Sequence, residues 1–203
     1  MLYANFLCLI YFLTFQMYKI IIRPVLFLFD SEKVHNFTLG FVSKFTFLHP
    51  FFKIIFGSSR IDKVNIIGLV FKNRLGLAAG FDKNAIALLF WNALGFSHAE
   101  VGTVTPMPQS GNEKPRLFRL KKDFGIINRM GFNNKGADEI RKNILDARKH
   151  LPKDFIVGVN IGKNKNTPNE EAVNDYLTCF KKMYDAADYF TINISSPNTK
   201  GLR

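Results

Sequence analysis

The sequence predicts an α/β fold in which a parallel sheet follows an N-terminal helical hairpin. Three observations carry this. Short apolar runs alternate with helix-period segments from residue 64 onward, each run ends on Gly, Asn, Thr or Ser, and the Phe-rich stretch before them has helical spacing. A chain of 203 residues with 47% hydrophobic content is long enough to bury a core.

Residues 1–18, "MLYANFLCLIYFLTFQMY", carry no charge and precede Lys19 and Arg23. That approaches the roughly 20 apolar residues a membrane span needs, although Asn5, Thr14 and Gln16 weaken it. Two readings stand open, a marginal membrane anchor and an over-extended reading frame whose true start is Met17. A cleaved signal peptide fits poorly, because there is no basic start and no small-residue cleavage pattern.

Residues 19–60 read as two short helices. Asp30 or Ser31 can cap the first, in which Val34, Phe37, Phe41, Phe45 and Leu48 recur at three- and four-residue steps. Pro50 breaks it and "FFKIIFG" follows. So much Phe beside Lys predicts a surface that lies on lipid or surrounds an apolar ligand. A plain hairpin packed on a core is the alternative.

Residues 61–203 form the α/β part. "VNIIGLV" and "LGLAAG" flank "FKNR", as a hairpin or as a strand feeding a new domain. A helix bearing Ile86, Leu89, Phe90, Ala93 and Leu94 follows, closed by Gly95. "FSHAEVGTVT" is the second strand, and a long polar loop leads from it to a basic amphipathic helix over residues 135–149. "FIVGVNIG" is the third strand. Thr167-Pro168-Asn169-Glu170 reads as a capping box opening a helix with Val173, Tyr176, Leu177, Phe180 and Tyr184, and "YFTINISS" is the fourth strand. Four strands with helices between them imply a parallel sheet with right-handed crossovers.

The strand ends read "AAGFDKN", "VGTVTPMPQSGN", "GVNIGKNKN" and "NISSPNTKG". In a βα barrel the chemistry sits on such ends, where small residues let a ligand approach the backbone and amides match a planar heterocycle. Lys83 suits a carboxylate or an anionic ring, or is a solvated loop Lys. Asn128, Arg129 and Asn133 surround Gly131 in a loop too polar for a core strand. Asn160 and Asn193 close apolar strands, where a buried amide needs partners. Ser195 and Ser196 have no nearby His and are not obvious acyl-transfer nucleophiles.

Several function classes are excluded or disfavoured. Cys8 and Cys179 form no CxxC, so neither a disulfide nor a metal framework is expected, and the default is a reducing intracellular environment. No Walker loop, GxGxxG or HExxH occurs. The net charge of +12 is spread without blocks of like charge, which disfavours a nucleic-acid binder.

Five stretches carry a resemblance. "GLAAGFDKN", "VGTVTPMPQSGNEKPRLFRL", "INRMGFNNKG", "VGVNIGKNK" and "NISSPNTKGLR", in this order and spacing, resemble the quinone-dependent (class 2) dihydroorotate dehydrogenases from about Met17 to the last residue. The resemblance implies the N-terminal half of a (β/α)8 TIM barrel behind the helical hairpin. It also implies oxidation of dihydroorotate to orotate in pyrimidine biosynthesis, with FMN as hydride acceptor and a membrane quinone as final acceptor.

Residue by residue, it assigns Ala79, Gly80, Lys83, Thr103, Asn160 and Asn193 to FMN. Substrate falls to Lys83, Asn128, Arg129, Met130, Gly131, Phe132, Asn193 and Asn198, and Ser196 takes the place of the catalytic base. "FDSEKVHNFTLGFVSK" matches the quinone tunnel, with His35 and Arg119 at the quinone head, on a chain peripherally bound to the cytoplasmic face of a membrane. No metal is implied.

The family's barrel has eight βα units and only four are found here. The FMN-phosphate grip and a second Lys near the flavin are expected in the other half. The expectation is therefore a fragment, inactive alone, with two unpaired sheet edges. A non-catalytic membrane-associated module retaining relic flavin loops is the alternative.

Overall fold

A computed structural model describes residues 15–56 and 62–196. Residues 15–26 are helical, passing through a π-helical turn at Tyr18–Ile22 into α1 (Arg23–Leu26). Then come α2 (Ser31–Lys44), a 3-10 turn at Thr46–Leu48 and α3 (His49–Phe56). Asp30 caps α2 as its spacing suggests, Oδ1 accepting from the Lys33 N–H at 2.9 Å. The helix stops at Lys44, before the Phe45 and Leu48 that the periodicity had included. Pro50 sits in the first turn of α3, where a missing N–H costs nothing.

The hairpin read between "VNIIGLV" and "LGLAAG" does not form, and a shorter one lies within the first run instead. β1 (Val64–Ile66) and β2 (Leu69–Phe71) pair antiparallel around Ile67-Gly68, both at positive φ, and "FKNR" instead leads out of β2. Two central residues with φ above zero make the tight turn that matches strand twist.

The main sheet is parallel, in the order β3 (Gly76–Leu77), β4 (His98–Val104), β7 (Ile156–Ile161) and β8 (Tyr189–Ile192). Helices α4 (Leu88–Ala93), α5 (Ala137–Arg148) and α6 (Ala172–Met183) connect them. Gly95 takes positive φ just past α4, as a helix terminator should. The capping box before α6 does not form. Pro168 is extended, a 3-10 turn spans Asn169–Glu171, and α6 starts at Ala172 without a side-chain cap. The long polar loop contains a second hairpin that the sequence reading missed, β5 (Leu117–Leu120) against β6 (Gly125–Asn128).

One face of the sheet is the core. Ala99, Val101, Val104, Val157, Val159 and Ile161 pack there with Ile140 and Ile144 of α5 and Cys179 and Met183 of α6. The hairpin docks on the same body through buried Leu39 and through rings at its ends, Phe52 against Phe90 and His35 against Phe81. On α6 the apolar stripe read from the sequence is mostly exposed at Val173, Leu177, Phe180 and Tyr184. Ile192 and Ile194 beside it are exposed too. Among the described residues β3 and β8 are edge strands, so the partial barrel is open.

A bulge in β4 turns the sheet toward function. The register to β7 shifts between Gly102 and Val104, which inserts Thr103. Val104 stays with the core while Thr103 faces the side without helices. Gly102 has φ +101°, and a Cβ there would lie 2.4 Å from the Asn160 carbonyl oxygen and 2.7 Å from the Val104 nitrogen. Both neighbours are backbone and cannot yield. Gly102→Ala is therefore expected to destabilise the fold by about 3 kcal/mol or more, read as a lower urea midpoint. An unchanged midpoint would show that the bulge tolerates a side chain.

Candidate functional site at the strand ends

Three strand ends meet in one polar cluster. The Thr103 hydroxyl donates to Asn160 Oδ1 at 2.6 Å, and Asn193 Nδ2 donates to Thr103 Oγ1 at 3.0 Å and to Asn160 Oδ1 at 3.2 Å. Asn160 Nδ2 donates to Glu100 at 3.0 Å. Thr103 and Asn160 are buried, so the hydroxyl and the amide need partners and find them in their neighbours. Gly80 joins from the loop after β3, its N–H donating to the Gly102 carbonyl at 2.9 Å. A Cβ at Gly80 would have nothing within 4 Å, so the rim is open there. Ala79 lies half-buried beside it.

Asp82 and Lys83 divide the work of the first loop. Asp82 is fully buried and accepts from the Ile86 and Ala87 N–H groups and from Trp91 Nε1. Burial pushes its carboxyl up from the ordinary carboxylate range. Its role is to start α4 and aim the next residue. Lys83, 9% exposed, donates from Nζ to the Gly131 carbonyl at 2.8 Å and to Asn133 Oδ1 at 2.5 Å. Burial lowers its ammonium to about 8, with Arg116 adding to the shift.

The 127–136 loop is pinned by Asn134. Its amide donates to Thr105 Oγ1 and the Phe132 carbonyl, and its Oδ1 accepts from the Gly136 N–H. Met130 and Phe132 are buried, whereas Asn128 and Arg129 are exposed and Asn128 Oδ1 accepts from the Met130 N–H. Ser196 is buried, four residues past the end of β8. Asn198 lies outside the described residues.

His35 and Arg119 line one cleft of about 920 Å³, with Phe27, Val34, Thr38, Phe81, Leu117 and Ile126 among its walls. Gly80, Asn128 and Met130 also border it, so it opens toward the strand-end cluster. Burial lowers the His35 imidazole, and the Lys83 charge adds to this. Arg119 donates to the Phe29 carbonyl at 2.7 Å and lies over the Phe27 ring. A second, more polar cleft of about 880 Å³ has Lys83, Arg116, Asn133 and Lys135 on its walls, and His35, Phe81 and Met130 border both clefts.

Sequence reasoning passed over Asp82, Glu100, Asn134 and buried Lys163, whose Nζ donates to the Thr167 carbonyl. Asp82 was legible as a carboxylate a few residues before a helix. The others gave no local signal. Among the described residues no cluster of His, Cys, Asp or Glu could hold a metal.

Fold and site define a partial βα-barrel sheet that gathers polar side chains at its C-terminal strand ends. The family model described as dihydroorotate dehydrogenase matches residues 61–203. The chain belongs to the dihydroorotate dehydrogenase family.

It is similar to a protein of Idiomarina loihiensis named dihydroorotate dehydrogenase (quinone), at 53% identity over 90% of this chain and 53% of the relative. A relative of the same name from Christiangramia forsetii is 50% identical over 92% of this chain and 55% of its own length. A crystal structure of DHODH from Eimeria tenella in complex with ferulenol superposes with TM-score 0.74 at 44% identity, over 85% of this chain and 46% of that one. The chain spans about half the length of the curated relatives it matches.

Proposed function

We propose that this chain supplies the flavin and substrate strand ends of an enzyme that oxidises dihydroorotate to orotate and passes the electrons to a membrane quinone. The observation that carries the reading is the juxtaposition of the Thr103–Asn160–Asn193 cluster, buried Lys83 and the cleft holding His35 and Arg119. The names of the relatives support it.

The residues present fit FMN. A flavin's polar edge alternates carbonyl and N–H groups, and side-chain amides offer both kinds of partner. Asn160 on β7 and Asn193 just past the adjacent β8 stand side by side, with Ala79 and Gly80 forming an open rim and Thr103 bonded to both amides. When bound, the flavin supplies a two-electron acceptor. Lys83 gives a fixed positive charge, desolvated and aimed by Asp82, for the substrate carboxylate or an enolate-like oxygen. Asn128, Arg129, Met130, Gly131, Phe132, Asn193 and Asn198 surround the pyrimidine. Ser196 takes the proton from the carbon beside the carbonyl while its own hydroxyl proton passes to a water or a neighbouring hydroxyl, its burial holding the hydroxyl in place and limiting bulk water.

The quinone head meets His35 and Arg119, and its apolar tail follows the Phe and Leu walls of the cleft. Exposed Phe37 of α2, Phe47 of the 3-10 turn, and Phe51 and Ile54 of α3 present an apolar surface to the membrane, on the cytoplasmic side. Among the described residues no single helix is long and apolar enough to cross a bilayer, and α2 and the Thr46–Phe56 segment are bent by 75° to each other.

Ser196→Ala in the flavin-loaded protein is expected to lower dihydroorotate oxidation by about 10²-fold or more while flavin stays bound. Unchanged turnover would remove Ser196 from the base role. The pH dependence has a defined sign. The Lys83 ammonium is present below about pH 8 and lost above it, so orotate affinity should fall about tenfold per pH unit above that point. Calorimetric titration between pH 7 and 9.5 checks it, and a flat profile would contradict the role of the charge.

A further inference from the structure

The first turn of α2 is tied to the substrate loop through one buried ion pair. Glu32 and Arg116 are 5% and 6% exposed and meet as a fork, Nε to Oε2 at 2.9 Å and Nη2 to Oε1 at 2.7 Å. Arg116 holds the Glu32 carboxyl below its ordinary range against the opposing effect of burial, and Lys114 adds a contact at 3.3 Å. The third guanidinium nitrogen, Nη1, donates to the carbonyls of Ser110 at 2.5 Å and Asn112 at 2.7 Å.

From Asn112 the connection runs into the loop. Its backbone N–H donates to the Met130 carbonyl at 3.0 Å, and its side chain donates to the Arg129 carbonyl at 3.0 Å. The Arg116 carbonyl accepts from the Arg129 N–H at 2.8 Å. A Cβ at Gly111 would lie 2.3 Å from the Met130 carbonyl oxygen, so the two segments are in close contact. The next residue, Gly131, receives Lys83. On the other side, Ser31 Oγ donates to the Leu117 carbonyl, fastening the same turn of α2 to β5. α2 also carries Val34, His35 and Thr38 on the wall of the apolar cleft.

A bidentate guanidinium–carboxylate pair has one good geometry, and separating it indoors leaves two desolvated charges. The turn of α2 therefore cannot shift without moving Arg116, and Arg116 cannot shift without moving residues 129–131. We propose that Glu32 and Arg116 are positioning residues that couple occupancy of the apolar cleft to the shape of the substrate loop, so that a quinone in the cleft tightens binding of the pyrimidine. This rests on the assignment of the loop to dihydroorotate and orotate and of the cleft to quinone. Coupling of this kind is reciprocal, and each ligand must strengthen the other by the same factor.

The test is calorimetric titration of orotate into the oxidised holoenzyme, with and without a saturating short-chain ubiquinone, a pairing in which no electrons move. The wild type should bind orotate about fivefold or more tightly with quinone present. In Glu32→Gln that factor should fall to about one while each ligand still binds alone. Because Glu32→Gln leaves a buried cation, Glu32→Leu/Arg116→Met removes both charges together and should lose the factor as well. Retention of the factor in either variant, or its absence from a wild type that binds both ligands, overturns the coupling and leaves the proposed function standing. A wild type that binds no orotate overturns the functional reading and the coupling with it.

Discussion

Glu100 is the interaction on which the functional face depends. A parallel sheet has two faces, and α4, α5 and α6 cover one with an apolar core. The other face carries polar side chains that must satisfy one another. The Glu100 carboxylate does this across three strands. Oε1 accepts from Asn160 Nδ2 at 3.0 Å, and Oε2 accepts from the Tyr189 hydroxyl at 3.1 Å and the Thr191 hydroxyl at 3.0 Å. Burial and the Glu100 charge both push the Tyr189 phenol up, so it stays a neutral donor. With the Asn160 amide nitrogen held by Glu100, its oxygen is turned to Thr103 and Asn193. The orientation of the whole rim follows from a carboxylate set deeper in the sheet.

The bulge and the hub act together. Without the bulge the alternation of β4 would send the Thr103 hydroxyl into the helix-packed core, and Asn160 would lose its closest partner. Gly102 makes the bulge possible, and Asn160 makes it useful. Asp82 plays the parallel part on the first loop, since its carboxylate is spent on the start of α4 while Lys83 lies on the wall of the polar cleft.

The architecture was legible because each cue was local. Apolar runs with intervening helical periods gave the four parallel strands in their order, and Gly95 and Asp30 marked helix ends by their own backbone chemistry. The misses came where distant contacts decide. Thr167 to Glu170 has the pattern of a capping box, yet Asn164 takes the Thr167 N–H and a 3-10 turn intervenes. The β5–β6 hairpin was hidden inside a stretch read by polarity alone, although Asp123-Phe124-Gly125 between alternating runs marks a turn. At the site, Lys83, Thr103, Asn160 and Asn193 could be picked out, but Glu100, which orients Asn160 and through it Thr103 and Asn193, looks like any charged residue in a strand. The exposed stripe on α6 marks another limit, since periodicity shows that a helix has an apolar face without showing what covers it.

The central claim is that Asn160, aimed by Glu100, forms part of a flavin cradle. Asn160→Leu in the holoenzyme tests it most directly, through FMN bound per chain and the FMN dissociation constant from fluorescence quenching. Loss of its hydrogen bonds predicts FMN affinity about tenfold weaker or worse. An unchanged stoichiometry and dissociation constant would contradict the account.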